Sequence, residues 1–375
     1  MRDGLAALLA FAAALIASPA NAQEEPAVRL GASYVGDALT VIHGGLERGG
    51  AVLGRADVTL AADGAAIGLD GVRLFVDLLA TLPGDFSARR VGDFQTVSNV
   101  QADSAPRPFE TWVSAPIAGT ASVKAGLIDL NTEFDVQRIG ALFLNSAHGI
   151  GPDFSQSGAN GPSIFPASAA ALIVRTDGAT WRTRLAVFDA IAGSASNPRR
   201  TVFRVPGARG ALLVAEVEHA LGGDAELQLG AWRYTNRFDP IDPRRPRAIS
   251  QGAYALIEGP LGGGFDGWLR VGVADARANP IAAYVGGGIV HGPETSRLGV
   301  AVAHARLGGP ARRVLLQASA ARRAETAIEL TWARRVADWL IVQPDLQYVI
   351  NPGWDRAAKD ALVAGVRMRF QFGGD

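Results

Sequence analysis

The chain has 375 residues, 36 of them basic and 36 acidic, so it carries no formal net charge, and it contains no cysteine. Balanced charge lacks the basic excess of a nucleic-acid binder, and the absence of thiols excludes disulfide scaffolds, cysteine nucleophiles and Cys-ligated zinc. With 48% apolar residues, only 19% charged ones, 45 glycines and 20 prolines, the composition is not that of a disordered chain, and the length allows one large domain or several small ones.

The first 22 residues read as a secretory signal. Arg2 is followed by an apolar run from Leu5 to Ile16, a break at Pro19, and Ala20-Asn21-Ala22 as an A-x-A cleavage site. The run is shorter than the roughly 20 residues a transmembrane helix needs. Cleavage after Ala22 is expected, leaving a mature chain of residues 23–375 that opens near Glu24-Glu25 in the periplasm, outer membrane or medium of a bacterium.

Beyond the signal no apolar run is long enough for a membrane helix, and the pattern is a dyad instead. Strands are predicted near 28–43, 50–61, 66–80, 107–117, 120–131, 168–177, 179–190, 210–220, 224–235, 250–259, 264–275, 281–291, 295–306, 323–335, 338–350 and 360–372. The stretch 308–320 is read as a loop, because an even strand number brings both termini to one side. From Trp181, the positions Trp181, Leu185 and Val187 oppose Arg182 and Arg184. Leu227, Leu229 and Ala231 oppose Glu226, Gln228, Trp232 and Tyr234, while Phe265, Leu269, Val271 and Val273 oppose Asp266 and Arg270. Farther on, Ile328, Leu330 and Trp332 oppose Glu329, and Val366, Met368, Phe370 and Phe372 oppose Arg367 and Arg369.

A soluble antiparallel sheet alternates in the same way. Three features place the apolar face against lipid. No amphipathic helix between the strands is long enough to cover such a sheet, so the sheet must close on itself. Trp181, Phe265, Trp332, Trp339, Tyr348, Phe370 and Phe372 lie toward strand ends, as in the two interfacial girdles of an outer-membrane barrel. Tight turns such as Asp177-Gly178, Gly222-Gly223-Asp224 and Ala337-Asp338 contrast with long connections at 145–167, 192–209 and 235–249. The predicted fold is all-β, a single sixteen-stranded antiparallel transmembrane barrel, wide enough for an aqueous lumen.

Several segments resemble the carbohydrate-selective porin family typified by the OprB glucose porins. They are Leu127-Ile128-Asp129-Leu130-Asn131-Thr132-Glu133-Phe134, the run from Phe143 through Asn145-Ser146-Ala147-His148-Gly149 to Gly158, Gly161-Pro162-Ser163-Ile164-Phe165-Pro166, Tyr284 with Gly286-Gly287-Gly288, and Gln343-Pro344-Asp345-Leu346-Gln347-Tyr348 through Gly353. The resemblance runs from about residue 35 to the C-terminus and implies an outer-membrane channel giving facilitated diffusion of mono- and oligosaccharides. The chain is shorter than expected of that family, with the deficit in the external loops. Its last aromatic, Phe372, is the residue the barrel-assembly machinery is expected to read, with three residues beyond it.

A sugar filter needs polar groups that replace water at hydroxyls and aromatic faces that stack on the ring, none of them binding too tightly for release. The predicted lumen face supplies Arg182, Arg184, Glu226, Gln228, Trp232, Tyr234, Arg270, Glu329, Arg367 and Arg369. Loop 145–167, with His148, Asp153, Gln156 and Asn160, is the candidate constriction. Against a pathway role stands the plainer reading that such charges solvate the wall and pair with one another.

Other chemistry fails. His43, His148, His219, His291 and His304 are scattered without metal-ligand spacing, and no nucleophile elbow or catalytic triad order is present. The glycines at 262–264 and 286–288 precede no phosphate-binding helix. No catalytic residue, metal or cofactor is assigned, and the protein is read as no enzyme. Expected partners are sugars, outer-membrane lipid and lipopolysaccharide, and the barrel-assembly machinery, with no nucleic acid; monomer and homo-oligomer both stay open. Arg244-Arg245-Pro246-Arg247 and Arg312-Arg313 are read as solvated loop charge in preference to lipopolysaccharide contacts. Two other readings remain: a general diffusion porin without sugar preference, and a non-porin barrel enzyme or adhesin acting through its loops.

Overall fold

The computed structural model describes residues 27–103, 106–194, 196–197, 200–207, 209–318 and 321–373; the expected signal peptide lies outside them. Sixteen strands close into one barrel in which every neighbour pair is antiparallel and β1 meets both β2 and β16. The strands are β1 Val28–Gly45, β2 Gly49–Asp63, β3 Arg73–Leu82, β4 Arg107–Ala118, β5 Ala121–Ile128, β6 Ala169–Asp177, β7 Trp181–Asp189 and β8 Ala211–Gly222. They continue as β9 Ala225–Phe238, β10 Ala248–Gly262, β11 Phe265–Ala274, β12 Ile281–His291, β13 Ser296–Leu307, β14 Ala324–Ala337, β15 Leu340–Ile350 and β16 Lys359–Gly373. Closure satisfies each strand edge, which lipid could not do. No helix among the described residues is long and apolar enough to cross a membrane.

Residues 129–131, expected to end the fifth strand, instead leave it at Ile128 and enter a 3-10 turn, Leu130–Thr132, and two longer segments also differ from expectation. Residues 64–72 do not begin the third strand: the Asp63 carboxylate accepts the Ala65 N–H, and Gly68, at φ +75°, ends a short 3-10 turn, conformational chemistry that overrides the apolar pattern. The stretch 308–320 holds a helix, Gly309–Ala318, instead of an irregular loop. Its Pro310 suits a first turn, and Ala311 and Leu315, one turn apart, pack on the cluster of Ile281, Tyr284 and Trp354.

The two barrel ends differ. Turns 119–120, 178–180, 223–224, 263–264, 292–295 and 338–339 share one end with both termini, whereas 83–106, 129–168, 190–210 and 308–323 are at the other. The short-turn end is periplasmic and the long-loop end external. Lipid-facing aromatics gather at the periplasmic end, where Trp181 stacks on His219 at 4.0 Å, Phe265 meets His291 at 4.4 Å and Trp339 stacks on Phe370 at 6.1 Å. Of the aromatics named from the sequence only Tyr348 lies toward the external end, so one girdle is well formed in place of two. Inside, Gly286 and Gly288 lie under the rings of Tyr284 and Trp268, where a Cβ would come within 2.0 and 2.6 Å of ring-group atoms; bare backbone lets each ring lie flat on the wall.

Candidate functional site

Two loops fold into the lumen, and the wall is built to hold them. Loop 83–106 buries Phe86, Val91, Val97 and Val100 against Leu39, Leu53 and Val349. Loop 129–168 buries Leu130, Phe134, Ile150 and Phe154 against Phe188, Trp232, Tyr234 and Tyr254. Burying irregular backbone requires partners for its N–H groups, and inward glutamates supply them. Glu110 accepts Asp129 N–H at 3.0 Å, and Glu216 accepts Asp135 N–H at 2.9 Å. Glu258 accepts Arg138 and Ile139 N–H at 3.2 and 2.9 Å, and Glu329 accepts those of Leu144 and Asn145 at 2.5 and 3.0 Å. Glu325 does the same for Phe94 and Gln95 of the other loop, each at 2.9 Å, and for Gly353 at 2.6 Å. Each carboxyl oxygen accepts N–H groups that no backbone carbonyl reaches, so each glutamate is a rivet between wall and loop.

All ten wall residues named from the strand pattern point inward, but the loops cover most of them. Arg270 is fully buried; its guanidinium donates to Asp135 at 3.2 and 2.8 Å and to Asp153, and it faces the rings of Tyr254 and Tyr284. Arg184 pairs with Glu216 at 2.7 Å and Glu218 at 3.1 Å, and Arg182 pairs with Asp177 at 2.8 Å and with Glu218. Glu226 accepts Arg138 Nε at 3.1 Å, and Gln228 donates to the Val136 carbonyl at 3.1 Å. Trp232 stacks on Phe154 with centroids 4.9 Å apart and planes 2° from parallel, and the Tyr234 hydroxyl is 3.3 Å from Ser157 Oγ. Glu329 is one of the rivets. In the loop, Asp153 belongs to the Arg270 cluster, and Asn160 donates to the Ala192 carbonyl at 2.7 Å. His148 is fully buried between Phe143 and Trp268, 3.9 Å from Glu329, and burial pushes its imidazole down to about 3, so it is neutral.

What remains open is a lumen cavity of about 500 Å³ bounded by both loops on one side and by β16, β1 and β2 on the other. Arg367, Arg369 and Gln156 are the sequence-named residues that line it. Register sets its charged wall: Arg369, Val35 and Arg55 form one row, and Arg367, Asp37 and Leu53 the next. Arg367 forks onto Asp37 at 2.7 and 2.8 Å and reaches Asn99 Oδ1 at 2.8 Å, while Arg369 donates to Gln343. Arg55 pairs with Asp57 at 2.8 Å and lies 4.8 Å from the Phe165 ring centroid and 5.2 Å from that of Phe109. Across the gap the loops present Gln95, Asn99, Asn131, Phe94 and Phe165, and burial pushes the carboxyl of Asp129 up to about 6 against the pull of Arg55. The cavity thus offers fixed cations, amides and aromatic side chains, and among the described residues no acidic or histidine cluster is suited to a metal ion.

Arg55 and Asp57 were available to the same parity reading, since Val52, Ala56 and Val58 mark the lipid face of β2. Loop 83–106 was missed; its signal is Val91, Phe94, Val97 and Val100, apolar residues at every third position of a stretch with no strand pattern.

A closed barrel narrowed by inward loops to a polar, water-accessible cavity is an outer-membrane porin. The profile described as carbohydrate-selective porin, OprB family, matches residues 47–372, and the chain belongs to that family, whose members are channels and not enzymes. Its fold is similar to the high-pH structure of Pseudomonas putida OprB, with 19% identity, TM-score 0.80, and coverage of 92% of this chain and 94% of that one. The low-pH structure of the same protein gives 16% identity and a TM-score of 0.57 over 92% and 93%. The outer membrane channel DcaP of Acinetobacter baumannii gives 9% identity and 0.57 over 92% and 97%. Among curated protein sequences none matches.

Proposed function

We propose that this porin passes neutral mono- and oligosaccharides by facilitated diffusion through the cavity between Arg55, Arg367 and Arg369 and the two inward loops. The observation that carries the reading is the cavity's composition: guanidinium and amide donors on facing walls, with Phe94 and Phe165 among the side chains that line it. Its 500 Å³ falls within the ~300–1,000 Å³ common for small-molecule sites. Arg367 and Arg55 are each held by a carboxylate, so their charge is locally balanced and remaining N–H groups can exchange water for sugar hydroxyls without trapping the solute. Exported chains are further inferred to lose residues 1–22 and to be inserted by the barrel-assembly machinery through Phe372.

The test is conductance of the purified barrel in planar bilayers. Glucose or maltose should lower it in a saturable way, and Arg55→Gln with Arg369→Gln should raise the half-blocking concentration roughly tenfold, the effect of losing about 1.5 kcal/mol of charge-assisted hydrogen bonding. Conductance indifferent to either sugar overturns the reading.

A further inference from the structure

The outer wall carries a feature that solute passage does not use. Across β7 to β11 one lipid-facing row reads Leu185, Ala215, Ala231, Ala253 and Val273, strand paired to strand in that register. Three adjacent methyl groups flanked by larger side chains leave a groove of about 910 Å³, walled on the β6 side by Leu172 and Val174. The next row toward the external end reads Val187, Leu213, Arg233 and Gln251. The groove is therefore apolar along its length, and its external mouth carries Arg233 together with Asp275, whose carboxylate is paired with Arg277.

The cations there bond neutral oxygens. Arg233 donates to the Gln251 side-chain carbonyl, and Arg237, four residues along the same face, donates to the Arg247 carbonyl at 3.2 Å. Nearby carboxylates are paired elsewhere, Asp239 with Arg247 at 3.1 Å and Asp275 with Arg277 at 2.6 Å. A guanidinium at the lipid boundary with no carboxylate partner among the described residues has its best match in a phosphate, which it can bind with two parallel hydrogen bonds. Since the long-loop end is external, that phosphate belongs to the outer leaflet. A two-fold dimer would set groove against groove and leave the space empty, whereas a flexible acyl chain fills it.

We propose that this groove binds the lipid A portion of lipopolysaccharide, one acyl chain lying over Ala215, Ala231 and Ala253 and one phosphate held by Arg233 and Arg237. The proposal rests on the outer-membrane placement of the barrel but not on its sugar preference, so a barrel that conducts and is blocked by sugar yet retains no lipid A fails here alone.

The experiment is native mass spectrometry of the detergent-solubilised barrel mixed with bisphosphorylated lipid A, with the same lipid stripped of phosphate, or with phosphatidylethanolamine. Wild type should retain lipid A several-fold better than either other lipid. R233Q/R237Q should lower retention to the level of the phosphate-free lipid, and A231L/A253L, which fills the groove, should abolish it. Both variants alter only lipid-facing positions, so wild-type conductance and heat-modifiable electrophoretic mobility certify their folding. Equal retention by wild type and both variants overturns the proposal, as does phosphatidylethanolamine held as well as lipid A. Loss of an oligomer in A231L/A253L with lipid retention unchanged assigns the groove to a protein interface and overturns it too.

Discussion

Replacing Arg270 with methionine should open the channel. Arg270 spans Asp135 and Asp153 and so ties the two ends of the lobe 135–153 to β11, with all three side chains fully buried. Removing one partner from a buried ion cluster costs about 3–5 kcal/mol, because the carboxylates left behind lose both their cation and their solvent. At 1.4 kcal/mol per tenfold, the ratio of docked to undocked lobe falls roughly a hundredfold to several-thousandfold. The rivet at Glu110 still holds the flanking backbone at Asp129, and those at Glu258 and Glu329 hold the middle of the lobe, so the barrel should fold and the two ends of the lobe alone should loosen. Single-channel recordings of R270M should show higher conductance, more open-channel noise and weaker maltose block than wild type. R270K, which keeps the charge but not the fork, should lie between. If R270M folds, by its heat-modifiable mobility, and its conductance, noise and block equal those of wild type, the Asp135–Arg270–Asp153 cluster does not hold the constriction.

Gly151→Ala should reproduce part of this effect, because an added Cβ would meet Arg270 Nη1 at 2.1 Å; overpacking of that kind costs about 1–3 kcal/mol, and unchanged channel noise would contradict it. Trp232→Ala removes a side chain 2% exposed and stacked on Phe154, a loss of about 3–5 kcal/mol. It should raise conductance by loosening the loop, and a weaker sugar block at unchanged conductance would place Trp232 on the solute path instead. His148 yields a pH prediction. Its docked imidazole refuses a proton down to about 3, while an undocked one takes it below the usual 6.5. The docked loop is therefore at full stability above about 6.5 and loses about 1.4 kcal/mol per pH unit as pH falls. Wild-type noise should exceed that of His148→Phe between pH 6.5 and 5 and match it above pH 7; identical profiles would refute the argument.

The barrel was legible because a strand in a membrane wall has two solvents. Arg182 beside Leu185, and Glu329 between Ile328 and Leu330, can be arranged in only one way when one face meets lipid and the other water, and a slip by one residue would bury charge in hydrocarbon. The expected strand 281–291 coincides with the observed one, and 107–117 falls one residue short of Arg107–Ala118. The errors fell where turn chemistry or helix packing replaced alternation, at 64–72, 129–131 and 309–318.

Facing inward and lining the pathway proved to be separate properties. Alternation sets the face of Arg270, Glu329 and Trp232, but loop 129–168 then covers them, and its contacts with Arg270 and Glu329 join residues 117, 185 and 184 positions apart. No local pattern encodes such pairings, because a carboxylate that will rivet a loop amide has the same strand period as one that will face water. The sequence carried the strand number, the two faces and the family resemblance through short-range periodicity and motif. The fold alone decided which charges anchor and which stay open to solute, since that depends on where loops 83–106 and 129–168 come to rest against the wall.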